Sequence, residues 1–402
     1  MTNMKVLLVE NVHPSAVENF RNSGFTVDLR KDSPSEADLI NLLPHYKVLG
    51  IRSKTQLTAN VLKASSHLYA IGAFCIGTNQ IDLQSANQLG LPVFNAPYSN
   101  TRSVAELVIA EIIALARQLG DVNSAAHQKN WQKNAKGCFE VRGKTLGIVG
   151  YGHIGSQVSI LAEAMGLRVI YYDIVKKLPL GNAKPIDSIF QLFAESDFIT
   201  LHVPETPMTQ QMIGAEQLQS MRKGSYLINA SRGTVVDVPA LALSLKSGHL
   251  SGAAVDVFPY EPAGNNEPFI SELQGLKNVI LTPHIGGSTE EAQESIGVEV
   301  SASLIQFLSD GATRGAVNFP NVDVPPPIAP VRLINTHRNV PGVLGEINGI
   351  VSRAKANIRA QYLSTDPEIG YLVMDIENVD GKSLCDQVAA LKTSLKTRVV
   401  GE

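Results

Sequence analysis

Short apolar runs alternate with amphipathic segments along most of this chain. Runs at residues 5–9 (KVLLV), 26–29 (TVDL), 48–51 (VLGI), 68–71 (LYAI) and 93–94 (VF) read as strands, and segments such as 14–23 and 59–64 between them have helical patterning. Strands of four or five residues separated by helices predict a parallel sheet covered on both faces. A longer helix is expected over 103–119, where Val104, Leu107, Val108, Ile112, Ile113 and Leu115 spread over more than one face and imply burial. The alternation resumes at 145–149 and 167–172, then at 198–202, 225–229, 252–256 and 279–282. A last helix of this region, about 289–308, is expected to return to the first sheet. The pattern predicts one doubly wound α/β domain inserted in another. The outer domain would hold 1–99 and 288–318, and the inserted domain 100–287.

Beyond Asn318 the pattern changes. Pro320, Pro325, Pro326, Pro327 and Pro330 mark residues 319–330 as an extended linker. Residues 331–402 then read strand, helix, strand, strand, helix, strand, the order of a split βαβ sandwich. This tail carries no catalytic-looking cluster, so a regulatory or assembling role is expected of it.

Composition narrows the class. The 402 residues are 44% apolar and 18% charged with a net charge of −3, which gives no electrostatic reason to expect nucleic acid or an anionic membrane as partner. Cys75, Cys138 and Cys385 lie far apart with no CxxC pair, against a disulfide framework or zinc site and in favour of a reducing cytoplasm. The N-terminus enters a strand-like run without the pattern of a signal peptide. The richest helical stretch is interrupted by Glu106 and Glu111, against a membrane span. No metal site is expected.

The stretch GYGHIG, Gly150 to Gly155, follows one apolar run and precedes a helix, and the next run ends on Asp173. That order is what the adenosine half of a dinucleotide needs, in a Rossmann-like unit. Gly150 permits the tight turn, Gly152 lets backbone approach the pyrophosphate, and Gly155 lets helix pack close on strand. The helix N-terminus offers N–H groups to phosphate. Asp173 can accept from both ribose hydroxyls and would repel a 2′-phosphate, favouring NAD over NADP. Three further residues each follow a strand's carboxyl end: Arg232 in NASRGTVVD, Glu261 in DVFPYEP and His284 in TPHIGG. A nicotinamide enzyme oxidising an alcohol needs a base, His284, an acid to orient it, Glu261, and a cation for a carboxylate, Arg232. Each taken alone reads better as a structural residue; the three after consecutive strands favour chemistry. Arg52, Ser53 and Lys54 in GIRSKT, with Asn100 and Arg102 in SNTRS, form a second polar group suited to a phosphate.

These stretches, with AIGAFCIGTNQIDL, LHVPETP and TPHIGGSTEEAQE, resemble the phosphoglycerate branch of the D-isomer-specific 2-hydroxyacid dehydrogenases, and the tail resembles an ACT domain. The resemblance implies Arg232, Glu261 and His284 as catalytic. It implies dinucleotide contacts at His153, Ile154, Asp173, Ala230, Ser231, Arg232, Asp256, His284, Ile285, Gly286 and Gly287, beside the glycines of the turn. Substrate, 3-phospho-D-glycerate, would meet Arg52, Ser53, Asn100 and Arg102, with Lys31, Trp131 and Lys133 as contributors. The family often has a second arginine where this chain has Lys54, which keeps charge but loses the planar fork. HRNVPG and KANI resemble serine-binding elements, implying that His337, Asn339 and Asn357 hold L-serine between paired tails and that turnover slows. A homotetramer, and a side activity reducing 2-oxoglutarate, are further implications. Two other readings stay open: a different D-2-hydroxyacid as main substrate, and a non-enzymatic NAD(H)-sensing co-repressor on the same fold.

Overall fold

Two all-parallel sheets and one antiparallel sheet make up the computed structural model, which describes residues 4–131, 133–262 and 267–400. The first sheet has five strands in the spatial order Thr26–Leu29, Lys5–Leu8, Val48–Ile51, Ala70–Ala73, Val93–Asn95. The second has seven, in the order Val279–Leu281, Gly252–Val255, Tyr226–Asn229, Phe198–Leu201, Thr145–Val149, Arg168–Tyr172 and the two-residue Lys184–Pro185. Their central strands are buried on every residue, as helices on both faces require. The doubly wound α/β reading is borne out for both sheets.

By its contacts the chain divides into two compact units, 100–292 and the remainder, 1–99 with 293–402. In the second of these the helix Glu290–Asp310 lies on the first sheet: a Cβ on Gly72 would stand within 3 Å of Leu304 and Val300. The helix expected over 103–119 spans Thr101–Ala116, and a new helix starts at Leu119. The break falls at Gln118, whose backbone is left-handed at φ 51°. No described helix is long and apolar enough to cross a membrane.

The tail forms a four-stranded antiparallel sheet, ordered Asn357–Thr365, Ile369–Glu377, Val331–Arg338, Ser394–Val400. With the helices Val343–Arg353 and Gly381–Ala389 it has the βαββαβ order read from the sequence. Its two inner strands are buried on both faces. Alternate residues explain why. Leu333, Leu372, Met374 and Ile376 face the tail's own helices, while Ile334, Tyr371 and Val373 join the core that holds Phe94 and Phe307. The proline-rich stretch has no helix or strand but is not loose. Phe319, Val322 and Val324 are buried, and Val322 N donates to Thr313 Oγ1 at 2.8 Å.

Cations tie the tail to the helix Glu290–Asp310 and to the turn before Ala70–Ala73. Arg332, fully buried, forks onto Asp375 at 2.6 and 2.7 Å and also donates to the carbonyls of Asp310 and Pro325 at 3.0 and 2.9 Å. Arg398 donates to the carbonyls of Phe307 and Leu308, and Lys396 to those of Ser66 and Leu68. Removing one partner of such a pair leaves a charge in a medium that cannot solvate it. Asp375→Ala should therefore destabilise the tail by about 3–5 kcal/mol. Hydrogen exchange would show lost protection along Val331–Arg338 with the dinucleotide turn unchanged; unaltered protection would contradict the account.

Candidate active site

The carboxyl ends of the seven-stranded sheet gather the residues with chemical character in the unit 100–292. At the centre is the turn between Thr145–Val149 and the helix His153–Ala164. Gly150 has φ +92°, and a Cβ there would meet the His202 carbonyl oxygen at 2.3 Å. A Cβ on Gly155 would stand 2.2 Å from the Gly150 carbonyl oxygen, so helix and turn touch backbone to backbone. Gly152, the helix N-cap, has nothing within 4 Å of its Cβ position. Crowding at the first and third glycines with open space at the second fits a pyrophosphate laid on the helix N-terminus. Asp173, at the end of the neighbouring strand, accepts from Tyr151 N and Val175 N, both at 2.8 Å. Its carboxylate is thereby fixed beside the turn with lone pairs to spare. The Tyr151 ring, buried, stacks on Tyr171 at 3.8 Å and fastens the turn from below. No sequence motif marked that role.

Two strands along, Asn229 organises the Arg232 loop. Its Oδ1 accepts from Ser231 N and Oγ, and its Nδ2 donates to the Arg232 carbonyl. Gly233 presses on the next loop: a Cβ would lie 2.0 Å from the Phe258 carbonyl carbon. That contact brings the Arg232 loop against the loop of Glu261, whose Oε1 accepts from Phe258 N at 3.1 Å. The other carboxylate oxygen of Glu261 lies 2.8 Å from His284 Nδ1. The imidazole and its acid are thus joined.

His284 itself is held in an uncommon backbone conformation, φ +54°. Buried Asp256 accounts for it. Its carbonyl oxygen accepts from His284 N at 2.8 Å, and its carboxylate accepts from Thr282 Oγ1 at 2.6 Å, Ile285 N at 2.8 Å and Gly286 N at 2.9 Å. Gly286 and Gly287 are closely packed: a Cβ on the first would stand 3.1 Å from Asp256 Oδ2, and on the second 2.7 Å from Asn100 Nδ2. Asn100 therefore lies against the His284 loop. Arg102, in the first turn of Thr101–Ala116, is exposed and paired with Glu106 at 2.6 Å.

The electrostatics of the pair run in one direction. The hydrogen bond to Glu261 lifts the His284 pKa, outweighing its partial burial and the nearby charge of Arg232. Burial pushes the Glu261 carboxyl up, but the bonds from His284 and Phe258 N and the charges of His284 and Arg232 hold it below its ordinary value. An acid that stays ionised beside an imidazole that binds a proton more tightly than usual can store and return one proton.

The other sequence-selected residues fall elsewhere. Arg52, Ser53 and Lys54 follow the strand Val48–Ile51 of the other unit, as Lys31 follows Thr26–Leu29. Trp131, 86% exposed, and Lys133 belong to the unit 100–292. In the tail, His337 is buried with Nδ1 on Asn335 Oδ1 at 2.9 Å, and burial lowers its pKa. Asn339 donates to the Asp366 carbonyl, and Asn357 to Glu377 Oε1, both at 2.7 Å. No group of His, Cys, Asp and Glu able to hold a metal occurs among the described residues.

Comparison with known proteins places the chain in a family. Residues 109–286 match the D-isomer specific 2-hydroxyacid dehydrogenase NAD binding domain, and 333–396 match the AHAS small subunit-like ACT domain. A D-3-phosphoglycerate dehydrogenase of Dictyostelium discoideum is 51% identical over 99% of this chain and 97% of its own. One of Escherichia coli (strain K12) is 52% identical over 93% and 91%. A solved D-lactate dehydrogenase from Aquifex aeolicus, complexed with NAD and lactic acid, superposes with a TM-score of 0.67 at 28% identity, over 79% of this chain and all of that one. The chain belongs to the D-isomer-specific 2-hydroxyacid dehydrogenases, NAD-binding oxidoreductases. Within them it stands with the D-3-phosphoglycerate dehydrogenases that carry an ACT domain.

One acid behind the site escaped the sequence reading. Glu111, on the helix Thr101–Ala116, is 3% exposed with neither carboxylate oxygen hydrogen-bonded to a described residue. Burial, and then the charge of Asp256, push its pKa up to about 8. At neutral pH it keeps its proton. Below the ordinary carboxylate range both folded and unfolded chains hold this proton, and nothing is lost. As pH rises toward 8 the unfolded chain releases it and the folded chain does not, so stability falls by roughly 5 kcal/mol across that window. Glu111→Gln should abolish this slope, its melting temperature gaining on wild type between pH 5 and 8. A difference that stays constant with pH would show that Glu111 does not titrate there.

Proposed function

We propose that the chain oxidises 3-phospho-D-glycerate to 3-phosphonooxypyruvate, the opening step of the phosphorylated route to L-serine, and that L-serine slows it. The observation that carries this reading is the 2.8 Å His284–Glu261 pair, formed where the Arg232 loop abuts the Glu261 loop, in a chain about half identical to D-3-phosphoglycerate dehydrogenases over nearly its whole length. Bound NAD supplies a hydride acceptor for the carbinol carbon. His284 takes the hydroxyl proton during oxidation and returns it during reduction. Glu261 holds the imidazole by Nδ1, so that Nε2 faces the substrate and the imidazolium is stabilised as it forms. Arg232 pairs with the substrate carboxylate and polarises the carbonyl in the reverse direction. Asp173 takes the ribose hydroxyls, and Arg52, Ser53, Asn100 and Arg102 take the substrate's polar groups, the two arginines its phosphate.

Serine control is read on the tail. In the inner strand Ile369–Glu377, His337 is opposite Gly370, while Asn357 is opposite Glu377. Seven residues of strand separate those points by roughly 23 Å. One amino acid cannot touch both ends, so a site using His337, Asn339 and Asn357 requires two tails side by side, in keeping with a homotetramer. Reduction of 2-oxoglutarate belongs to the same proposal as a secondary activity.

An assay of NADH oxidation with 3-phosphonooxypyruvate, with and without L-serine, tests the whole reading. Comparing kcat/KM with that for 2-oxoglutarate ranks the substrates, and no turnover of either overturns it. His284→Ala should lower kcat by about 10²–10⁴-fold with NADH binding kept. In Glu261→Gln the support that lifts the His284 pKa is gone. Reduction needs the imidazolium, so its alkaline limb should move to lower pH; oxidation needs the neutral ring, so its acid limb should move the same way. An unmoved profile would dismiss Glu261 as the partner of the base.

A further inference from the structure

In the first sheet a buried carboxylate holds a loop that the proposed reaction needs. Glu10 follows the strand Lys5–Leu8 and is 8% exposed. Its Oε1 accepts from Arg52 N at 3.1 Å and Thr55 N at 2.8 Å, and its Oε2 accepts from Lys54 N at 3.0 Å. Three converging backbone N–H groups form a concavity of the kind that binds anions, and here the anion is the chain's own side chain. Two more groups fix the same loop. Gln80 Nε2 donates to the Arg52 carbonyl at 2.7 Å, and Ser33 Oγ lies 2.9 Å from Thr55 Oγ1. Glu10 and Asn11 both have left-handed backbones, φ 63° and 51°, a conformation that costs a residue with a side chain and persists where surroundings enforce it. The strain aims Glu10 across to the end of the neighbouring strand.

We propose that Glu10 is a positioning residue for phosphate recognition: it holds the 52–55 loop so that the side chains of Arg52, Ser53 and Lys54 project together. The inference rests on the reading that this loop takes the substrate phosphate. A consequence follows from the donor count. The N–H groups of residues 52, 54 and 55 are spent on Glu10, so a phosphate here is held by side chains and not by those backbone donors. Lys54, lacking the planar fork of an arginine, places more of that task on Arg52. Glu10 would thus set substrate affinity without touching substrate.

Steady-state kinetics of the full chain test this with Glu10→Ala, Glu10→Gln and Arg52→Ala. Glu10→Ala should raise KM for 3-phosphonooxypyruvate at least tenfold, change kcat less than threefold and leave NADH affinity unaltered. Glu10→Gln keeps an acceptor for two of the amides but sets an NH₂ group against Lys54 N, so its KM should fall between wild type and Ala. If Glu10→Ala fails to fold, the Gln variant decides, and a wild-type KM there overturns the proposal. A KM raised by Arg52→Ala but not by folded Glu10 variants defeats the inference while sparing the loop's role. A KM unmoved in all three variants defeats both.

Discussion

The carboxylate of Asp256, buried at the end of Gly252–Val255, is the constraint on which the rest of this sheet edge depends. Four groups of the next crossing converge on this residue: the Thr282 hydroxyl and the backbone N–H groups of His284, Ile285 and Gly286. A histidine with positive φ is uncommon and costs energy by itself. The enthalpy of charge-assisted bonds to adjacent N–H groups offsets the cost and turns the imidazole back toward Glu261. Glu111 sits behind this clamp without a competing charge at neutral pH. Two ionised carboxylates in that low-dielectric space would repel each other, so the protonation of one protects the other's role.

The same device recurs at two other strand ends of this chain. Asp173 gathers the N–H groups of Tyr151 and Val175, and Glu10 those of Arg52, Lys54 and Thr55. In parallel sheets the strand's last N–H groups lose their ladder partners where the chain turns away, and buried donors left unpaired are expensive. An acidic side chain satisfies several at once while fixing loop direction. Each of these loops has such a carboxylate anchor, and each presents different residues beyond it.

What the sequence disclosed follows the same division. Strand runs such as 145–149 and 198–202 were readable because burial on both faces demands unbroken apolar stretches, and their bounds agree with the structure within a residue. The tail's order was readable from its periodicity. His284, Glu261 and Arg232 were legible because loops after consecutive parallel strands converge at one edge, and the structure places the first two in hydrogen-bond contact. Glu10, Glu111 and Gln118 were not. A buried acid looks like any surface acid until its partners, distant in sequence, are known. The end of the first long helix depends on one left-handed residue that is not glycine, so no breaker marks it.

The tail's packing bears on how control could operate. Its inner strands belong to two cores at once, their alternate residues lying under the tail helices and in the core shared with Phe94 of the first sheet and Phe307 of the helix Glu290–Asp310. Arg332, Lys396 and Arg398 spend their donors on carbonyls and on Asp375, leaving few polar groups to exchange with water at that seam. A module fastened in this way is not a tethered bead whose linker merely sets its range. Whatever favours one arrangement of the tail over another works directly on the helix Glu290–Asp310 and the sheet beneath it, since interlocked cores transmit displacement instead of absorbing it. A ligand of the tail can then change turnover only to the extent that it distinguishes two arrangements of this shared core, through the edge strand Asn357–Thr365, where alternate side chains still face outward, and through the end that carries His337 and Asn339.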